Sequence, residues 1–131
     1  MPPRGLAEIV LWVRDIHRSL EFYRDTLGIP VMSPPEMRSP IFLRVDDGRW
    51  AIPQMLVLVQ LPAGTPEFSR PRTLHHLALE VDPAEFDAEA ARLTERGFKL
   101  RSGQHPVLPS RTLYLDDPDG NEVELICAAE A

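Results

Sequence analysis

At 131 residues the chain is long enough to bury one hydrophobic core and too short for two independent domains. Its 44% hydrophobic and 26% charged residues are ordinary for a folded domain. A formal net charge of −6 argues against nucleic acid or an anionic membrane as the main partner.

The chain opens with Met1-Pro2-Pro3-Arg4-Gly5, which lacks the continuous apolar core of a signal peptide, so the expectation is a cytoplasmic protein. Residues 6–13 are rich in aliphatic and β-branched side chains and predict a buried strand. Asp15 is suited to cap a helix in which Ile16, Leu20, Tyr23 and Leu27 recur at helical spacing, and Gly28 supplies its stop. Short strands are predicted at 29–32, 41–45 and 52–60. The proline- and glycine-containing stretch 61–73 predicts a linker.

After the linker the order restarts. Residues 74–81 predict a strand, Pro83 opens a helix carrying Phe86, Ala90 and Leu93, and Gly97 ends it. Strands follow at 98–101, 112–116 and 122–126, with a tight Asp119-Gly120 hairpin turn between the last two. The pattern β-α-β-β-β therefore occurs twice, in modules of about 6–60 and 74–127, which suggests a duplicated unit within one α+β domain. A generic α+β sandwich is the alternative. The single cysteine, Cys127, rules out an intrachain disulfide and falls on a packing face.

Period-two alternation sorts the strands into faces. In the first strand Ala7, Ile9, Leu11 and Val13 share a packing face, leaving Glu8, Val10 and Trp12 on the other. In the strand of the second half Leu77, Leu79 and Val81 pack, while His76, Ala78 and Glu80 face away; His75 has packing parity. In the last strand Glu124 sits deeper than the solvated Glu122, between Val123 and Leu125. A buried glutamate needs a partner, and a metal ion is one candidate. Glu8, His76 and Glu124 would form a three-ligand site with open positions, suited to Fe, Mn, Ni or Zn. A solvated Glu8 and a hydrogen-bonded core His76 are the structural alternatives.

The residues also carry a resemblance. Val13-Arg14-Asp15, Ser19, Phe22-Tyr23 and Leu27-Gly28 resemble the opening strand–helix motif of the vicinal-oxygen-chelate superfamily (glyoxalases, bleomycin resistance proteins and extradiol dioxygenases). His76-Leu77-Ala78-Leu79 with Val81 resembles the start of its second module. Asp117-Pro118-Asp119-Gly120-Asn121 followed by Glu124-Leu125 resembles its closing hairpin. The resemblance covers nearly the whole chain. It implies two tandem βαβββ modules forming a curved mixed sheet around a cleft, a divalent metal held by Glu8, His76 and Glu124, a small-molecule substrate and a homodimer. A fourth ligand used by glyoxalase-like members would fall at 56–58, which is apolar here.

Gly103-Gln104-His105, Leu113-Tyr114, Asp117-Pro118-Asp119-Gly120 and Glu124 are similar to the signature of extradiol ring-cleaving dioxygenases. That similarity implies His105 in proton transfer, Tyr114 as hydrogen-bond donor to substrate oxygen, and Glu124 as ligand. An exposed loop His105 and an ordinary strand Tyr114 are the alternatives. One departure is chemical. Glu8 stands where those enzymes have a histidine, so two carboxylates and one imidazole leave a divalent ion near zero charge and weaken its pull on a catecholate. Three functions follow: a dioxygenase-like enzyme, a glyoxalase- or epimerase-type lyase or isomerase with a glutamate as base, and a metal-free drug-binding protein. Arg44 and Arg111 are candidates for an acidic substrate, and Trp12 and Phe42 for a pocket lining.

Overall fold

The computed structural model describes residues 2–69 and 72–129. The chain is α+β and divides into two compact units, Met1–Glu67 and Phe68–Ala131.

In the first unit, β1 (Glu8–Val13) leads into α1 (Ile16–Leu20), which widens into a π-helical stretch at Glu21–Thr26. β2 (Ile41–Asp46) and β3 (Gln54–Gln60) follow. β1 runs parallel to β3, and β2 antiparallel to β3, giving a mixed sheet in the order β1-β3-β2. Asp15 caps α1 as expected, its carboxylate accepting the amides of His17 and Arg18. Gly28, at φ +80°, provides the left-handed residue that ends the helical segment.

The helix's inward stripe differs from the simple periodicity. Ile16, Ser19, Phe22, Tyr23 and Thr26 are the buried residues, while Leu20 and Leu27 are only half-buried. The wide turn, with Leu27 N–H reaching back to Phe22 C=O at 2.9 Å, rotates the later residues off a 3.6-residue track. The strand expected at 29–32 is a single bridge between Val31 and Leu43. The segment does lie along β2, for Arg44 N–H donates to Pro30 C=O and Met32 N–H to Phe42 C=O. Pro30 has no N–H of its own to extend the ladder.

The second unit repeats this wiring: β4 (Leu77–Glu80), a 3-10 turn at Pro83–Glu85, α2 (Phe86–Glu95), β5 (Arg101–Gly103), β6 (Ser110–Asp116) and β7 (Glu122–Ala128). β4 runs parallel to β7, then β6 and β5 follow antiparallel. β4 is shorter than expected, beginning at Leu77 rather than 74. β5 begins at Arg101 because Phe98 N–H is still bonded to Leu93 C=O at the end of α2. Leu113, Leu115, Val123, Leu125 and Cys127 form one buried face, and Phe86 and Leu93 of α2 are buried too. Burying that apolar area is the main stabilising term of the unit. Among the described residues no helix is long and apolar enough to cross a membrane.

Candidate metal centre

The same alternation that packs one face of the second sheet with apolar side chains gathers Thr112, Tyr114, Glu122 and Glu124 on the other. Strand register puts Ala78 beside Glu124, Glu124 beside Tyr114, and Tyr114 beside Arg101. His76, just before β4, projects over this face, with its Nε2 3.1 Å from Glu124 Oε1. Glu124 is only 3% exposed, and its other oxygen, Oε2, is buried with no hydrogen-bond partner. Such an orphaned carboxylate oxygen costs on the order of 1–3 kcal/mol unless something answers it.

The donor atoms fit a divalent ion. Two ligands each about 2.1 Å from a common ion and roughly at right angles are about 3.0 Å apart, close to the observed spacing. Imidazole nitrogen and carboxylate oxygen together suit a borderline first-row metal.

His76 is also tied to its neighbour, its Nδ1 lying 2.7 Å from Nδ1 of His75. One of these nitrogens must carry the hydrogen. With His76 Nε2–H donating to Glu124, His75 is the Nδ1–H donor. With His76 Nε2 bare for a metal, His76 donates instead and His75 changes tautomer. His75, His76 and Glu122 place one donor atom each within 4.8 Å of one another. From sequence, His75 has packing parity and Glu122 is expected to be solvated, so neither is a predicted ligand. The parity used against His75 does not apply, because strand geometry begins only at Leu77; Glu122 shares the parity of Glu124, the signal that would have flagged it.

Tyr114 lies between β7 and β5, its ring centroid 6.1 Å from that of His76. Its phenol is held above the ordinary pKa of 10.0, first by desolvation and then by the negative charge of Glu124. A Cβ on Gly103 would stand 2.6 Å from Tyr114 Cε2, so glycine is what lets the ring lie across β5. His105 is half-buried and has a structural task, with Nδ1 accepting the backbone amides of Val107 at 3.1 Å and Leu108 at 2.9 Å. Its Nε2 is the nitrogen left for chemistry.

In the first unit Glu8 opens β1 on the face it shares with Val10 and Trp12, which are 52% and 56% exposed, against 6% for Leu11 and 0% for Val13. The face assignment made from alternation therefore holds, and Trp12 is not a core residue. Met55 pairs with Glu8, and Val57 and Val59 continue that side of β3, so this strand presents no further ligand. A cleft of about 580 Å³ in this unit, lined by Leu6, Trp50 and Ile52 among others, does not include Glu8. Arg111 is turned away from the His76–Glu124 face: it pairs with Asp87 of α2 and its guanidinium lies 4.5 Å over the Phe86 ring. Arg44 pairs with Asp47.

The comparisons with known proteins agree with this architecture. The family model described as Glyoxalase/Bleomycin resistance protein/Dioxygenase superfamily matches residues 5–125. A catechol-2,3-dioxygenase of Bacillus subtilis is 33% identical over 117 residues, 88% of this chain, which spans only 38% of that enzyme's length. A lactoylglutathione lyase of Haemophilus influenzae is 28% identical over 127 residues, covering 92% of this chain and 90% of that protein. Among solved structures, a glyoxalase/dioxygenase from Nostoc punctiforme superposes with a TM-score of 0.74 at 26% identity, covering 97% of this chain and 92% of that one. The chain belongs to the glyoxalase/bleomycin resistance protein/dioxygenase superfamily.

Proposed function

We propose that this protein is a divalent-metal-dependent enzyme acting on a small oxygenated molecule in the manner of an extradiol dioxygenase. Glu8, His76 and Glu124 are the ligands in this reading, with the two units as modules of one domain in a cytoplasmic homodimer. The observation that carries it is the buried, unsatisfied Oε2 of Glu124 beside His76. A bound divalent ion would supply Lewis acidity and a template for substrate oxygens. Tyr114, kept neutral by its raised pKa, donates a hydrogen bond to a substrate oxygen and does not serve as a base. His105, with Nδ1 occupied by two amides, exchanges its proton at Nε2.

A second reading, a lyase or isomerase with a glutamate moving the proton, draws support from the match along 90% of a lactoylglutathione lyase. Oxygen separates the two readings: the dioxygenase consumes it and the isomerase turns over without it. The first experiment is elemental analysis of native protein beside a Glu8→Ala/His76→Ala double variant. One Fe, Mn, Ni or Zn per chain, lost in the variant, is the expected result. A native protein that neither contains nor accepts these metals would overturn both enzyme readings in favour of metal-free ligand binding.

A further inference from the structure

A cleft of about 600 Å³ opens in the second unit beside the His76–Glu124 pair, its walls including Arg72, His75, Arg101, Asp116, Asn121 and Glu122. Its two arginines are in different electrostatic states. Arg101 reaches Asp116 Oδ1 at 2.8 Å and Glu122 Oε1 at 3.4 Å, so its charge is already answered. Arg72 meets no carboxylate among the described residues. Its Nη1 donates to the neutral Oδ1 of Asn121 at 3.1 Å, and its guanidinium lies 5.5 Å over the Phe68 ring. Its Nε is buried without a hydrogen-bond partner.

The arginine is also mounted. Asp117, only 5% exposed, accepts the backbone amides of Asp119 and Asn121 and the Nδ2–H of Asn121. Those bonds fix the Asn121 amide so that its oxygen faces Arg72. The Asp-Pro-Asp-Gly-Asn turn thus does more than reverse the chain, because it orients a cation at the edge of the cleft. A guanidinium carries five donors in a planar fork, matched to the two oxygens of a carboxylate or phosphate-type group.

We propose that Arg72 is an anion-binding, specificity-determining residue of this cleft, and that the molecule bound there carries a compact oxyanion group. The proposal rests on the proposed function, which places substrate chemistry at His76 and Glu124 beside this cleft. His75, also on the cleft wall and bonded to His76, brings the anion's position next to the candidate metal ligands. Two arginines face two carboxylates in the lining, so recognition comes from the fork rather than from bulk positive charge. Affinity for a free oxyanion is accordingly weak, on the order of millimolar.

The test uses chelator-treated, metal-free protein titrated with inorganic phosphate and, separately, with benzoate, followed by ¹H–¹⁵N shifts of the Asn121 side-chain amide and the Arg72 Nε–H. Saturable shifts are expected with one of the two probes, phosphate marking a phosphate-type head group and benzoate a carboxylate. Arg72→Gln should weaken binding by about ten-fold, and Arg72→Lys, which keeps charge but loses the fork, by less. Arg111→Gln, a control on the α2 side, should leave it unchanged. Absence of saturable shifts with either probe, or equal affinity in Arg72→Gln, overturns the proposal. Because no metal is present, that failure would leave the metal reading standing. Conversely, loss of metal binding would leave these shifts in place.

Discussion

His76 Nε2 and Glu124 Oε1 stand 3.1 Å apart while the second oxygen of that glutamate is buried and unpaired. One oxygen of the carboxylate is answered by His76, and the other is the atom a cation would satisfy. Glu124→Gln removes a buried charge, so the metal-free variant should be at least as stable as the parent. Metal should then protect only the parent, by about 2.7 kcal/mol at a hundredfold excess over its dissociation constant. Thermal melts with and without metal check this; equal protection of Glu124→Gln would remove Glu124 from the ligand set.

Glu8 is exposed at the start of β1, and among the described residues its side chain makes no hydrogen bond. Glu8→Gln should therefore leave the metal-free melting temperature unchanged within about 0.5 kcal/mol of stability, as for an ordinary surface change. Metal affinity should nonetheless fall. An unchanged affinity by calorimetry would show that His76 and Glu124 bind without it.

His105 holds two backbone amides of the following loop, so its structural and chemical tasks are separable. His105→Ala should lose about 1 kcal/mol through those bonds. His105→Asn, whose amide oxygen can accept the same N–H groups, should recover most of that stability but no proton-transfer activity. Urea unfolding together with turnover of the identified substrate distinguishes them; full activity in His105→Asn would assign the residue to the loop alone.

Gly103 and Tyr114 are coupled by the 2.6 Å approach that any Cβ would make to the ring. Gly103→Ala should cost about 1–3 kcal/mol and displace the phenol. Combined with Tyr114→Ala, most of that cost should vanish, and a double-mutant cycle measures the difference. Additive effects would mean the ring is held by something other than the glycine gap.

Tyr114 should remain a neutral phenol past the ordinary pKa of 10.0, first because it is desolvated and second because Glu124 is negative. Between the unfolded and the raised folded pKa the unfolded chain has released more protons, so the contribution to stability falls as pH climbs above about 10. Ultraviolet titration of the parent minus Tyr114→Phe isolates this group. A midpoint at or below 10 would contradict the raised value.

Much of the fold was legible because local rules govern it. Asp15, Gly28, Pro83 and Gly97 mark helix boundaries through capping and backbone geometry, and the Asp119-Gly120 turn joins two strands wherever they lie. Alternation alone assigned Glu8 to the open face of β1 and Glu124 to the polar face of β7. What failed locally also has a cause. Pro30 removed a donor from an otherwise plausible strand, and the π-helical turn moved the later part of the buried stripe from Leu27 to Thr26.

The sequence by itself determined the repeated order of strands and helices, apart from the strand expected at 29–32, and singled out Glu124, since residue type and strand parity are properties of short segments. Tyr114 was named through the family resemblance and His76 through its residue type. Only tertiary structure decided which side chains meet. Strand register set Tyr114 beside Glu124, chain geometry before β4 brought His75 onto His76, and the Asp117–Asn121 bonds turned an amide toward Arg72. Those distances depend on how strands far apart in sequence pair and how loops close over them, which no local pattern encodes.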